Sequence, residues 1–308
     1  MKALEWTVTQ SMAGLRLDQA LAQLLPQHSR SRLQTWIRAG HISIDGRVGQ
    51  SCKLRLCGDE HLCFDIAALT EAETAAQQNT PEAEAIPLQM VYVDDALIVV
   101  NKPAGLVTHP GAGNWRGTMQ NALLHYAPEL ASIPRCGIVH RLDKATSGLL
   151  VVARTPEAQT SLVRQLQARS VRRLYLAVAR GLVRSDGEVN APIARHPRAR
   201  TRMAVRTGGK EALTRYRVLE HFPNATLLEC SLATGRTHQI RVHLAALGHP
   251  LLGDIQYGGK AAVLSHIDRQ ALHACQLVLQ HPCSGETMRW ESEPPEDFTR
   301  LLEFLRAG

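Results

Sequence analysis

Residues 137–153 read Gly-Ile-Val-His-Arg-Leu-Asp-Lys-Ala-Thr-Ser-Gly-Leu-Leu-Val-Val-Ala, a charged loop held between two apolar runs. Ile138-Val139 leads in, and the run to Ala153 has the length and β-branched content of a buried strand, predicted over Gly148–Ala153. A polar loop from His140 to Ser147 would therefore project from a rigid sheet, the usual way of presenting reactive groups. Asp143 stands near Arg141 and Lys144 in sequence, and nearby cations keep a carboxylate anionic. An anionic carboxylate is able to attack a sugar carbon. From the spacing alone, a nucleophile and an ordinary surface ion pair both remain open.

Working outward, further strands are expected at Met90–Val93, Ala96–Val100, Tyr175–Ala179 and Thr226–Leu232, with helices at Pro156–Arg169 and His238–Leu247. Strands outnumber helices, which predicts an α/β (α+β) domain on a mixed, mainly antiparallel sheet rather than a doubly wound one. Upstream lies a shorter module. Leu17, Ala20, Leu21, Leu24 and Leu25 fall on one helical face, and Pro26 ends it. Ser29 is placed to cap a second helix with Leu33, Trp36 and Ile37 on its apolar side and Gly40 just past its end. An alternating strand pair, Ile42–Val48, turns at Asp45-Gly46. Between the two lies Asp65–Glu84, with five acids and no Lys or Arg. This composition marks a solvated linker. The expected division is a module over 1–64, an acidic linker over 65–87 and a large domain over 88–308.

The chain of 308 residues has a formal charge of +7, which suggests a polyanionic partner. The charge is concentrated: Val163–Arg217 holds fourteen Lys or Arg against three acids, an excess of eleven. Such a stretch, with Arg198, Arg200 and Arg202 at its centre, suits a phosphate-tracking surface, as Arg30, Arg32 and Arg38 do on the second helix. No apolar run nears the roughly 20 residues a membrane span needs. The N-terminus lacks the apolar core of a signal peptide. Seven cysteines without a C-x-x-C pair read as reduced thiols in a cytoplasmic protein. The spacing of His273 and Cys275 with His281 and Cys283 is not that of a zinc module.

A second constellation is Thr234-Gly-Arg-Thr-His-Gln-Ile-Arg-Val-His243. Thr237 is placed to cap the helix that follows, gathering Arg236, His238 and Arg241 at a helix start suited to an anion. His238 and His243 are five residues apart, roughly 140° around a helix, so they do not share a metal. Asn101-Lys-Pro-Ala-Gly105 has the look of a turn after a strand, and Tyr175 of a half-buried core aromatic.

Together NKPAGLVTHPG, HRLDKATSGLLVVA, the strand at Tyr175 and TGRTHQIRVH resemble the RluA family of RNA pseudouridine synthases, and the first module resembles the S4 RNA-binding domain. Short stretches such as Gly253-Asp-Ile-Gln-Tyr-Gly258 share the resemblance. It implies cleavage of the N1–C1′ bond of a uridine, rotation of the base and rejoining through C5, with no cofactor, nucleotide or metal. It also implies roles. Asp143 would be the nucleophile, and Arg241 its ionic partner. Tyr175 would stack on the uracil and take the C5 proton, while Arg141 fills the gap left by the flipped nucleotide. His140, Arg236 and His238 would contact substrate. The substrate implied is a stem-loop of 23S ribosomal RNA, free or in an assembling large subunit, with transfer RNA as the alternative. A monomer is the default expectation. A non-catalytic ribosome-assembly factor would have no need of Asp143. A helix-turn-helix regulator would lack the hairpin after the second helix, and a glycosidase would commonly need a second carboxylate.

Overall fold

The computed structural model describes residues 3–26, 30–65, 82–111, 114–199, 201–259 and 267–308, without the side chains of Ser31 and Arg32. Ser29 and Arg200 lie outside the described residues. The chain divides into two compact units, Met1–Thr80 and Pro81–Gly308.

In the first unit the two expected helices form at Leu17–Leu24 (α1) and Arg30–Ala39 (α2). They cover a sheet of β1 (Ala3–Thr7), β2 (Ile42–Ile44), β3 (Arg47–Val48) and β4 (His61–Asp65), antiparallel in the order β1-β4-β2-β3. Leu17, Ala20, Leu21, Leu33, Trp36 and Ile37 meet Leu62 and Phe64 in one core. Trp36 and Phe64 pack with ring centroids 5.0 Å apart, and truncating such an aromatic costs about 3–5 kcal/mol. Asp45 and Gly46 both adopt positive φ, 49° and 75°, the geometry that lets β2 fold straight back as β3.

The second unit is built on β5 (Gln89–Val93), β6 (Leu97–Lys102), β7 (Ser147–Ala153), β8 (Arg172–Arg180), β9 (Gly187–Asn190), β12 (Leu213–Phe222), β13 (Ala225–Leu232), β14 (Leu272–Gln280) and β15 (Thr287–Glu291). Their order is β5-β6-β7-β14-β8-β13-β12-β9, with β15 also on β14. Every pairing is antiparallel except β7 with β14, so the mixed, mainly antiparallel α/β fold is confirmed. A small hairpin, β10 (Ile193–Arg195) and β11 (Met203–Val205), stands apart. Central strands are apolar on both sides. Ile98, Val100, Leu150 and Val152 join one core, while Leu97, Val99, Leu149 and Val151 join another. The first core carries α3 (Met119–Tyr126) and Tyr175; the second carries α4 (Pro156–Gln167). Gly148 makes the parallel pairing with β14 feasible. Its φ is 114°, and a Cβ there would lie 2.3 Å from the Ala274 carbonyl oxygen.

Residues 66–81 of the expected acidic linker lie outside the described residues, but its end already packs in the second unit. The Asn121 side chain donates to the Glu82 carbonyl at 2.7 Å, and Gly117 N–H donates to Glu84 at 3.0 Å, at the start of α3.

Candidate active site

The charged loop leaves the sheet just before β7 and is tied down on every side. Thr108 Oγ1 donates to the Leu142 carbonyl at 2.8 Å, Gly105 N–H to the Lys144 carbonyl at 2.8 Å, and Arg269 Nη1 to the Ala145 carbonyl at 3.1 Å. Lys102, with 0% exposure, spends its ammonium on the carbonyls of Pro103, Leu106 and Lys144 at 2.7, 3.0 and 3.2 Å. The Asn101–Gly105 segment, read as a turn, therefore clamps the loop that carries Asp143. Burial lowers the Lys102 pKa to about 7, against the pull of the nearby Asp143 charge.

Asp143 opens on a cleft of about 560 Å³, lined by His109, His140, Arg141, Arg173, Tyr175, Arg236, His238 and Arg241 among others. Its ionic partner is not a sequence neighbour: Arg141 and Lys144 are exposed, and Arg241 Nη1 donates to Asp143 Oδ2 at 3.0 Å. Arg241 is itself fixed. Its Nε and Nη2 hold Asp254 at 2.7 and 3.0 Å, Nη2 also meets Gln256 Oε1 at 2.9 Å, and the guanidinium lies 5.0 Å from the centre of the Tyr257 ring. Burial alone would lower its pKa, but Asp254 and Asp143 outweigh that and raise it, so the cation is permanent.

His238 lies on the other side of the carboxylate, with Nε2 3.8 Å from Asp143 Oδ1. Met203 N–H donates to the Tyr257 hydroxyl oxygen at 2.9 Å, and that hydroxyl shares a hydrogen bond with His238 Nδ1 at 2.8 Å. When the hydroxyl is the donor, the proton of a neutral His238 sits on Nε2, facing Asp143. Burial, with Arg241 and Arg141 nearby, lowers the His238 pKa and favours this neutral form over the pull of Asp143.

The helix behind these groups, α5 (Gln239–Ala246), does not begin as expected from sequence. Its cap is His238, at φ 57° in the left-handed region, not Thr237. The Gln239 side chain has taken over the capping work, accepting from Thr234 Oγ1 at 2.7 Å and Arg236 N–H at 3.0 Å. Arg236 lines the cleft with its Nε on the Glu211 carbonyl at 2.9 Å. His243 points away from His238, bonded to Thr214 and the Ala191 carbonyl. Tyr175, on β8, is buried rather than half-buried, in the same core as Ile138, Leu142, Leu232, Ile240 and Leu272. Burial pushes its hydroxyl above the usual value, so it is a neutral phenol. His140 Nε2 accepts from Val151 N–H at 3.1 Å, and burial lowers its pKa to about 3.

The arginines expected from the sequence to face RNA divide. Arg30 forms an ion pair with buried Asp18 at 2.9 Å, Arg38 and Arg198 are exposed, and Arg202 lies 5.2 Å from the centre of the Tyr257 ring. The side chain of Arg32 and all of Arg200 lie outside the described residues. Four functional candidates escaped the sequence reading: Lys102, Arg173, Asp254 and Tyr257. Two had a signal. Arg173 is two residues from Tyr175 on a strand and so shares its face. Asp254 precedes a short helix, α6 (Ile255–Gly258), whose first N–H groups it caps. His273 is bonded to Ser147 and the Ser292 carbonyl, and among the described residues no group of His, Cys, Asp and Glu is spaced to hold a metal. No helix among them is long and apolar enough to cross a membrane.

Residues 96–246 match the RNA pseudouridylate synthase family and residues 15–56 the S4 domain. The chain belongs to the RNA pseudouridylate synthases and is an RNA pseudouridine synthase. It is 56% identical to ribosomal large subunit pseudouridine synthase D of Nitrosomonas europaea, over 98% of this chain and 88% of that one. To the protein of the same name from Escherichia coli K12 it is 48% identical, over 98% and 94%. Among solved structures, human RNA pseudouridylate synthase domain containing 1 matches at a TM-score of 0.57 and 28% identity, covering 73% of this chain and 97% of that one.

Proposed function

We propose that the chain converts uridine to pseudouridine in a stem-loop of 23S ribosomal RNA, free or within an assembling large subunit, with Asp143 as the nucleophile. One observation carries the assignment to Asp143: it is the sole carboxylate lining the cleft among the described residues, and one of its oxygens is held by a guanidinium that is itself fixed by Asp254. An oriented, ionised carboxylate is what attack at the ribose, or assistance to base departure, requires. The relatives' names support the large-subunit target.

The other residues take roles that their positions support. A volume of about 560 Å³ lies within the range of roughly 300–1,000 Å³ that small ligands occupy, enough for a nucleotide turned out of its stem. Tyr175 presents its ring to the base. In this reading it stacks on the uracil and takes the C5 proton. Arg141, exposed at the cleft, is placed to enter the vacated stack, while Arg236 and His238 flank the substrate. The enzyme in this reading is a cytoplasmic monomer that needs neither metal nor nucleotide, because isomerisation gains and loses no group.

The test is carbodiimide–reverse-transcription mapping of ribosomal RNA from cells lacking the gene. One or a few large-subunit stops should vanish and return with the wild-type gene. Stops that all persist would contradict the ribosomal target, and transfer RNA would then be mapped by the same method.

A further inference from the structure

Three arginines are buried among the described residues: Arg173 at 6%, Arg241 at 6% and Arg269 at 9% exposure. Two hold carboxylates. Arg241 holds Asp143 and Asp254, and Arg269 holds Asp297 at 2.6 Å. Arg173 holds nothing. Its side chain makes no hydrogen bond or ion pair among the described residues, and its Nε is enclosed without a partner. Burying an ion without a counter-charge costs several kcal/mol, so such a group is stable in the fold only at the expense of other contacts.

Its surroundings keep it free. Arg173 and Tyr175 share one face of β8, and both line the cleft. Gly235, also lining the cleft, stands close by: a Cβ there would lie 2.9 Å from Arg173 Nη1, so a side chain would crowd the guanidinium. The one cleft carboxylate, Asp143, is committed to Arg241, and nearby Arg169 is turned to Glu211 at 3.1 Å. His140 offers no charge either. With Val151 N–H on its Nε2, its proton sits on Nδ1, which is also enclosed without a partner. The cleft thus holds a desolvated cation whose anion must come from the ligand.

We propose that Arg173 anchors a phosphate subsite, gripping one backbone phosphodiester of the RNA beside the turned-out nucleotide. The proposal rests on the cleft being the RNA-modifying site. The uracil of the substrate is neutral, whereas every linkage of the strand carries a charge, and a guanidinium fork matches two phosphate oxygens. The built-in cost of the unpaired cation is recovered when RNA binds.

The experiment uses the full chain and a stem-loop bearing the target uridine, with each phosphodiester near it replaced in turn by a neutral methylphosphonate. For wild type, one linkage should weaken binding roughly 10- to 100-fold when neutralised, the scale of a lost charge-assisted contact. Arg173→Met should bind the unsubstituted RNA weaker by a similar factor and be indifferent to that linkage, with Arg173→Lys recovering part of the loss. Arg173→Met should also melt at or above the wild-type temperature, because it removes an uncompensated charge. The proposal falls if the Met variant still discriminates that linkage as wild type does. It falls equally if the variant melts well below wild type, or if it loses only the rate on saturating RNA, which would place the charge at the departing base. Wild type that fails to convert the unsubstituted stem-loop would remove the underlying reading, and the proposal with it.

Discussion

Asp18 and Asp143 are both carboxylates held by arginine, one in each unit, and they are held differently. Asp18 has 0% exposure; Arg30 lies 2.9 Å and Arg16 3.1 Å from it, and Gln34 donates to it at 2.6 Å. Its surroundings come from both helices of its unit, so it joins α1 to α2. Asp143 keeps a side-chain exposure of 15%, one guanidinium on Oδ2, and an Oδ1 that stands 3.8 Å from His238 Nε2, beyond a hydrogen bond. A carboxylate that is fully enclosed, with its hydrogen bonds gathered on Oδ2 and its Oδ1 buried 3.1 Å from Arg16 Nε, contributes to the fold and is out of a ligand's reach. A carboxylate fixed on one oxygen and open on the other is oriented and still reactive. The arginines differ in the same way: Arg30 is half exposed, whereas Arg241 is buried and braced by a second carboxylate.

The contrast is broken most severely at Arg241. Arg241→Met leaves Asp143 and Asp254 without their cation, and should cost roughly 100-fold or more in turnover and about 3–5 kcal/mol in stability. Pseudouridine formation and urea unfolding on one preparation would check both; a variant with near-normal turnover would break the assignment of Arg241 as Asp143's holder. Asp18→Ala should show the reverse pattern, losing about 2–4 kcal/mol in the first unit with the rate on a short stem-loop kept. This loss depends on pH. Burial pushes the Asp18 pKa up, but the bonds from Gln34 and Arg30 outweigh it and hold the pKa below 3.8. The stabilisation is therefore present above 3.8 and lost as pH falls through the lower folded value, so wild type and variant should converge in acid.

Tyr257→Phe probes the open side of Asp143. It removes the hydroxyl that is hydrogen-bonded to His238 and should lower turnover roughly tenfold with little change in RNA affinity, the cost of one hydrogen bond in a closed site. An unchanged rate would mean that the His238 tautomer is irrelevant. At Lys102 the effect is on stability alone. Its pKa of about 7 in the fold lies below the usual 10.5, so between these values the unfolded chain binds a proton that the fold has shed. Stability relative to Lys102→Met should therefore rise with pH across that window, as denaturation midpoints at pH 7 and 9.5 would reveal.

What was legible in the sequence was local. The helices at Leu17 and Leu33, the Asp45-Gly46 turn and the apolar runs around His140–Ser147 follow from neighbours a few residues apart, and each forms as expected. What was not legible came from pairing across the sheet. The fourteen basic residues of Val163–Arg217 read as one bare surface, yet Arg217 is paired with Glu229, beyond that window, and Arg215 and Arg169 with Glu188 and Glu211. Only β-register brings Glu188 and Glu229 beside β12. The site followed the same rule. His140, Asp143 and Arg241 stand in motifs that announce themselves, whereas Asp254, Tyr257 and Lys102 act through contacts with distant segments. Thr237 looked like the better cap because the Gln239 side chain, which satisfies the loop in its place, gives no capping signal two residues downstream.

The most direct test of the account is single-turnover pseudouridine formation by Asp143→Asn on a 23S stem-loop, with RNA affinity and unfolding midpoint measured on the same protein. The account predicts no product above background, affinity within a few-fold of wild type, and stability unchanged or slightly higher, because Asn keeps the shape but not the charge. Pseudouridine formed at a measurable fraction of the wild-type rate would contradict it, and would move the nucleophile elsewhere in the cleft.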